Sequence, residues 1–450
     1  MATLGGPITG GRGHPFGCPP FDVAERGYVM EEFVLSGRAG SFRVADGGSA
    51  GRDGRWDVEA GDEADFVTRA YVVRPAAPEA FNGVVVVNWQ NVTLGVDLGL
   101  PLADELYRGC AWVGVSAQAI GIDGACRSVM GIGSTTGLRD WDRERYGSLH
   151  HPGDAHSYDI FSQAGRLVRS GELLGGLVPD VLVASGASQS AMRLGSYLNA
   201  VHPTARVFDG FHLTVHWGIC PPLEEMDLPS LFTPADDLPS VATCAIRDEG
   251  DARVLVIATE CEARFNFPVR QPDTDSFRFW EIAGATHTAP ANSDAYRAVH
   301  ERDGVTTGPP LPDRNDVDWR PVDQAGLRAM VRWVREGRPP RTHPRIEFDA
   351  ASPPVVARDA DGNALGGIRL PELAAPVSSY LGERDEGPET WLVGRTTPLP
   401  VERLAELYPS EGDHDTAWNR AVDALLAEEL VLEEDAARLK RCDRRRPSSA

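Results

Sequence analysis

Lysine is almost missing from this chain: Lys440 is the single one in 450 residues, and it lies near the C-terminus beside Arg441, Arg444, Arg445 and Arg446. Schiff-base chemistry and a Ser/Lys dyad both need a buried lysine with a lowered pKa, so neither is expected. Cysteine is sparse and scattered. The seven positions (Cys18, Cys110, Cys126, Cys220, Cys244, Cys261, Cys442) are odd in number and contain no CxxC pair, which indicates neither a disulfide framework nor a zinc site. No run approaches the roughly 18 apolar residues of a membrane helix. Met1 to Cys18 is rich in glycine and proline with Arg12 as its only charge, so no signal peptide is read there and a soluble, cytoplasmic protein is expected. Positive charge is also short, with 44 Lys and Arg against 66 Asp and Glu for a net charge of −22. That balance speaks against nucleic acid or a membrane surface as partner. A small-molecule substrate is the remaining expectation, and the composition leaves a homo-oligomer open.

What is present is a long alternation of strands and helices. Tyr28 to Phe42 and Phe66 to Val73 alternate apolar with polar residues, as half-buried antiparallel strands do, with a Gly/Asp-rich connection at 45–65. Val84 to Val87, Trp112 to Val115, Val181 to Ala184 and Val254 to Ala258 are continuous apolar runs, the mark of strands buried on both faces in a parallel sheet. Helical patterns at 102–107, 158–169 and 191–200 lie between them, and 207–217 reads as one further strand. The expected fold class is α/β, a doubly wound and mostly parallel sheet. Three segments follow: an N-terminal β segment over 1–80, a core over 81–340 with a lid insertion near 220–240, and a partly helical C-terminal extension over 341–450. In the extension, Trp418, Val422, Leu425 and Leu426 form one stripe at helical spacing, which reads as core.

Ser188 is the most informative residue. It follows the strand Val181 to Ala184 in Ser185-Gly186-Ala187-Ser188-Gln189-Ser190, and a helix begins directly after it. A serine on such a strained strand-to-helix turn needs a very small residue two positions before it and a small one two positions after it. Gly186 and Ser190 meet these demands, although Ser190 replaces the glycine that commonly closes the motif. An activated serine needs a base, and the base needs an orienting acid. His287 stands in a Gly-containing loop after the alternating strand Phe277 to Ile282, 99 residues beyond Ser188. The acid is expected at the end of Val254 to Ala258, where Glu260 and Glu262 compete. Residues two apart on a strand end point the same way, so periodicity does not separate them. Asp273 and Asp275 read as solvated loop charges. Backbone donors for a developing oxyanion are expected from Gln189 and from Gln90 or Asn91, in the loop after Val84 to Val87.

Other constellations carry less. Ser116 follows a strand without a helix after it and reads as structural. Gly131, Gly133 and Gly137 have the wrong spacing for a dinucleotide loop. His212 and His216 share a strand face but lack a further ligand at short range, and the cluster His150, His151, Asp154 and His156 matches no zinc spacing. No metal and no cofactor are expected. Trp89 and Trp217 are candidates for lining a substrate pocket.

The strings VVVVNWQN, GVSAQ, RYGSLHHPGDAHSYDIFSQAG, GASQSA, RQPDTD and FWEIAGATH, spread over residues 84–287, resemble the α/β-hydrolase-domain family of bacterial serine hydrolases with a characteristic C-terminal extension. Residues 359–381 and 403–438 resemble that extension. The resemblance implies an α/β-hydrolase fold with Ser188 and His287 in the nucleophile and base positions, and a motif that tolerates Ser190. The order serine, acid, histidine along the chain is that of the same fold. The expected activity is cleavage of a carboxylic ester through an acyl-serine intermediate. An acyltransferase or thioesterase in secondary metabolism would use the same residues, and a ligand-binding protein of this fold would keep the sheet without the catalysis.

Overall fold

The computed structural model describes residues 1–124, 134–224, 243–308, 311–384, 390 and 392–441. Among them nine strands form one sheet in the order β1-β2-β3-β5-β4-β6-β7-β8-β9. They are β1 Thr3–Gly5, β2 Tyr28–Val44, β3 Val58–Pro75, β4 Val84–Trp89, β5 Ala111–Val115, β6 Val181–Ala187, β7 Gly210–Thr214, β8 Arg253–Thr259 and β9 Phe277–Ile282. Every neighbouring pair from β5 through β4, β6, β7 and β8 to β9 is parallel. The N-terminal strands add antiparallel to the β5 edge, so they extend the same sheet. The expected connection at 45–65 is shorter than the composition suggested, because β3 already starts at Val58. Glycine and aspartate there are tolerated in the long two-stranded ribbon that β2 and β3 form beyond the core.

The apolar runs divide by parity, as strands covered on both faces must. Leu182 and Ala184 of β6, with Val254 and Val256 of β8, face a core shared with helix α1, Ser157–Arg169, and helix α2, Gln189–Ser196. Val181, Val183, Leu255 and Ile257 face the opposite core. That core is closed by helix α4, Arg320–Glu336, whose Val322, Met330 and Trp333 are buried. Helix α3, Glu260–Asn266, starts directly at the end of β8. The C-terminal stripe docks here too, with Trp418, Val422 and Leu425 of helix α5, Asp413–Ala427, in the same cluster as Ile346, Ile368 and Leu373. Two buried ion pairs fasten that region: Arg358 to Glu260 at 2.6 Å and Arg270 to Glu281 at 2.6 Å, the latter carboxylate also accepting from the Ile346 amide.

The expected 102–107 helix is a single 3-10 turn, Asp104–Tyr107, and the helix after Ser188 passes into a π-turn at Tyr197–Val201. Of the expected lid, only 220–224 falls among the described residues; the rest lies outside them, as do Cys126, Gly131, Gly133 and Cys442. Among the described residues no helix is long and apolar enough to cross a membrane. Lys440 is accounted for by an ion pair with Asp423.

Removing Arg358 would leave the fully buried Glu260 carboxylate without its counter-charge. Arg358→Ala is expected to cost about 3 kcal/mol of stability in urea unfolding. Burial pushes His202, His216 and His300 down to about 4 from the ordinary 6.5. The unfolded chain therefore binds more protons than the folded one between these values, and stability should fall as pH drops from 6.5 towards 4. Urea midpoints at pH 7 and pH 5 measure this.

Candidate active site

Ser188 stands at φ 58°, ψ −121°, between the end of β6 and the start of α2. A non-glycine residue at positive φ is strained, and this one is held from several sides. Its amide donates to Thr214 O of β7 at 3.0 Å, and its carbonyl accepts from Met192 N at 3.0 Å. The two small neighbours have distinct reasons. A Cβ at Gly186 would stand 2.9 Å from the Ser190 carbonyl carbon and oxygen, backbone atoms that cannot move aside. Ser190 contributes its hydroxyl, which lies 2.9 Å from both the amide and the carbonyl of Ala187 and so latches the turn. The serine that departs from the usual motif is part of the turn's own bonding.

Glu262 and Glu260 separate cleanly. Thr259-Glu260-Cys261-Glu262 forms a capping box at the start of α3. Glu262 Oε2 accepts from the Thr259 amide at 2.8 Å and from its hydroxyl at 2.7 Å, and Oε1 lies 2.6 Å from His287 Nδ1. Glu260, one position into the helix, accepts instead from Gly284 N at 2.8 Å, Arg358 at 2.6 Å and Gly382 N at 3.2 Å. Glu260 thus ties the loop that carries His287 to the C-terminal extension. The T-x-x-E spacing is the signal in the sequence that distinguishes the two. Asp273 accepts from Phe279 N and Arg345, away from His287.

The His287 loop is held by neighbours far apart in sequence. Asn315 Nδ2 donates to Gly284 O at 2.7 Å, Trp319 Nε1 to Thr286 O at 3.0 Å, and the Thr286 hydroxyl to Leu392 O at 2.8 Å. Trp217 touches both the serine and the histidine. Its indole N–H donates to Ser188 Oγ at 3.3 Å, and its ring stacks on the imidazole at 5.0 Å between centroids. An indole nitrogen can only donate, so Oγ is the acceptor and the serine's own proton stays free. With Nδ1 on the carboxylate, His287 Nε2 is the ring nitrogen left to receive a proton.

Ser188 and His287 open onto a cavity of about 930 Å³ with apolar walls that include Leu94, Leu98, Leu100, Leu102 and Leu392. Trp89 touches it, but its indole N–H is bonded to Gln118 Oε1 at 3.0 Å and its ring packs on Phe161, so it is mainly core. Trp217 is not among the wall residues described; it backs the serine and histidine instead. Gln90 does not fit as an oxyanion donor, because its amide is taken by Val115 O at 3.1 Å. Asn91 lines the cavity and its side chain donates to Ala187 O at 2.9 Å, beside the nucleophile. Gln189 begins α2, where first-turn amides have no intrahelical acceptor. Among the described residues no backbone acceptor is seen for the amide of Asn91 or of Gln189, one on each side of the elbow.

A charged network behind the turn escaped the sequence reading. Arg193 of α2, fully buried, pairs with Asp154 at 2.8 Å and donates to Tyr158 Oη at 3.0 Å, while Gln118 Nε2 bonds the same Asp154 at 3.3 Å and Gln118 Oε1 accepts from Gln189 at 2.9 Å. Ser116 is structural, its hydroxyl donating to the buried Asp97. Among the described residues one group, Cys261, Glu262 and His287, has the proximity of metal ligands, with ligand atoms within 4.8 Å of one another. Two of its three members are already bonded to each other.

The strand order and the turn, acid and histidine at the ends of β6, β8 and β9 define an α/β hydrolase. A family model described as alpha/beta hydrolase domain matches residues 4–441, and the chain belongs to that family. No curated protein matches. Similar solved structures include oligopeptidase B from Leishmania major (11% identity, TM-score 0.33, 63% of this chain and 37% of that one), an arylesterase (10%, 0.27, 54% and 82%) and the esterase Est22 (10%, 0.31, 62% and 80%). The chain thus spans well under half the length of the oligopeptidase.

Gly186→Ala should displace the Ser190 backbone and with it the elbow. A shift of about 1 Å at a reacting atom can cost on the order of 100-fold, so covalent labelling of Ser188 by a fluorophosphonate should slow by that order while the protein stays folded by circular dichroism.

Proposed function

We propose that this protein is a serine hydrolase that cleaves carboxylic esters of small or medium-sized organic molecules. The observation that carries the reading is Ser188 at positive φ beside a His287–Glu262 pair bonded at 2.6 Å, both serine and histidine facing one apolar cavity. His287 Nε2 takes the Ser188 proton as Oγ attacks the ester carbonyl. The Gln189 and Asn91 amides receive the developing oxyanion, an interaction worth roughly 2.7 to 4 kcal/mol per donor. Collapse expels the alcohol, which leaves with the proton from His287. Water then attacks the acyl-serine with His287 again as base, and the free acid departs. Glu262 holds the imidazole in the tautomer this requires and balances its charge when protonated. Esters are favoured over amides because an alcohol leaves more readily than an amine. The apolar part of the walls suits the acyl group of a small or medium-sized organic ester.

Treatment with a fluorophosphonate followed by mass spectrometry should place the adduct on Ser188; folded protein left unlabelled would sink this reading. With p-nitrophenyl butyrate, Ser188→Ala and His287→Ala should each lower kcat by roughly 10^4-fold to 10^6-fold, and the double variant should lose no more than either alone. Glu262→Gln should cost roughly 10^4-fold by stabilising the wrong imidazole tautomer.

A further inference from the structure

The cavity does not end at the nucleophile. It continues down the face of the sheet that α4 covers, between the strands and Asp323, Gln324 and Leu327. There β4, β6 and β7 place Asn88, Ser185 and His212 side by side in register. The central strands of a parallel sheet are ordinarily apolar throughout, and the rows beneath are valine and glycine. A polar residue at the same level in three neighbouring strands, all on the cavity wall, needs a reason. Asn88 Nδ2 donates to Ser185 Oγ at 3.1 Å, which leaves the serine hydroxyl proton free. Asn88 Oδ1, His212 Nε2 and Asp323 Oδ1 are buried with no hydrogen-bond partner among the described residues. His212 is 5% exposed, and its Nε2 approaches Asp323 Oδ1 to 3.0 Å without hydrogen-bond alignment. A Cβ at Gly99 would stand 2.4 Å from Asn88 Oδ1, so only a glycine there lets the loop pack against that oxygen.

Buried polar groups without partners are rare in folded proteins, and here they converge on a space continuous with the reacting serine. We infer that Asn88, Ser185, His212 and Asp323 form an inner recognition subsite for a hydroxyl group carried by the substrate. This rests on the ester-hydrolase reading and adds the chemistry of the substrate's far end. Ser185 precedes Ser188 by three residues, so at about 3.3 Å per strand residue the row lies no more than about 10 Å along the chain from the serine that meets the ester carbonyl. A hydroxyl both donates and accepts, so it satisfies a carboxylate or amide oxygen and an imidazole or serine donor together. A carboxylate at that point would meet the charge of Asp323. A methyl group would leave Asn88 Oδ1 and His212 Nε2 without a hydrogen-bond partner. The substrate class is thus an ester whose apolar acyl chain ends in a hydroxyl.

The test is a matched set of p-nitrophenyl esters with acyl chains of eight to ten carbons, ending in methyl, hydroxyl or ammonium, with the acetyl ester as a control too short to reach the row. The wild type is expected to show a kcat/KM at least tenfold higher for the hydroxyl ester than for its methyl partner. That ratio should fall towards one in His212→Leu and in Asn88→Leu, and in Asp323→Asn at its partly exposed position it should fall by less. Because each ratio is taken within one protein, a general loss of activity does not imitate the effect. Acetyl ester turned over with no preference for the hydroxyl chain overturns the inference, as does a preference that survives both leucine variants or a faster ammonium ester. A wild type that neither cleaves the acetyl ester nor takes a fluorophosphonate on Ser188 refutes the hydrolase reading itself and this inference with it.

Discussion

The site depends on how one carboxylate divides its two oxygens. Glu262 uses one to close the N-terminus of α3 through Thr259 and the other to hold His287 Nδ1. A capping residue is fixed by the helix it caps, and a helix starting at the end of a central strand is fixed by the sheet. The imidazole therefore inherits the rigidity of β8 through this carboxylate. A carboxylate on a freely rotating loop would hold the ring just as well in energy but less well in direction, and direction is what a base needs.

The same economy extends outward. Glu260, two residues earlier, faces away from the imidazole yet bonds the loop that carries it and the arginine of the C-terminal segment. Asn315, Trp319 and Leu392 complete that hold. A residue more than a hundred positions past His287, Leu392, thus takes part in placing it. The turn at Ser188 is supported from the other side by Arg193 and Asp154, buried and paired behind α2. Breaking a pair like this by removing one partner leaves a buried charge without compensation, so the pair constrains the turn strongly.

Much of this was legible in residue patterns. Continuous apolar runs announced strands covered on both faces, and small residues around Ser188 announced the turn. The choice between Glu260 and Glu262 was legible only through the capping-box spacing, since strand parity treats the two alike. Trp217 read as a candidate for lining a pocket, but its stacking on His287 joins segments seventy residues apart. Gln90 looked equivalent to Asn91 until the β5 carbonyl that takes its amide was in place. The polar row of Asn88, Ser185 and His212 is invisible in any one strand, where each stands alone among apolar or small neighbours.

By itself the sequence determined what depends on neighbours along the chain: the strand-turn-helix at Ser188, the cap at Thr259, the parity of each strand and the stripe of α5. Local sterics and hydrogen bonds act within a few residues, so they leave a local record. Tertiary structure alone decided which amides remained free beside the elbow, what Trp217 touches, which oxygen of which glutamate meets the imidazole, and the level at which three strands align their polar residues. Register between strands and the packing of distant loops are set by the whole core at once, and no window of the chain contains that sum.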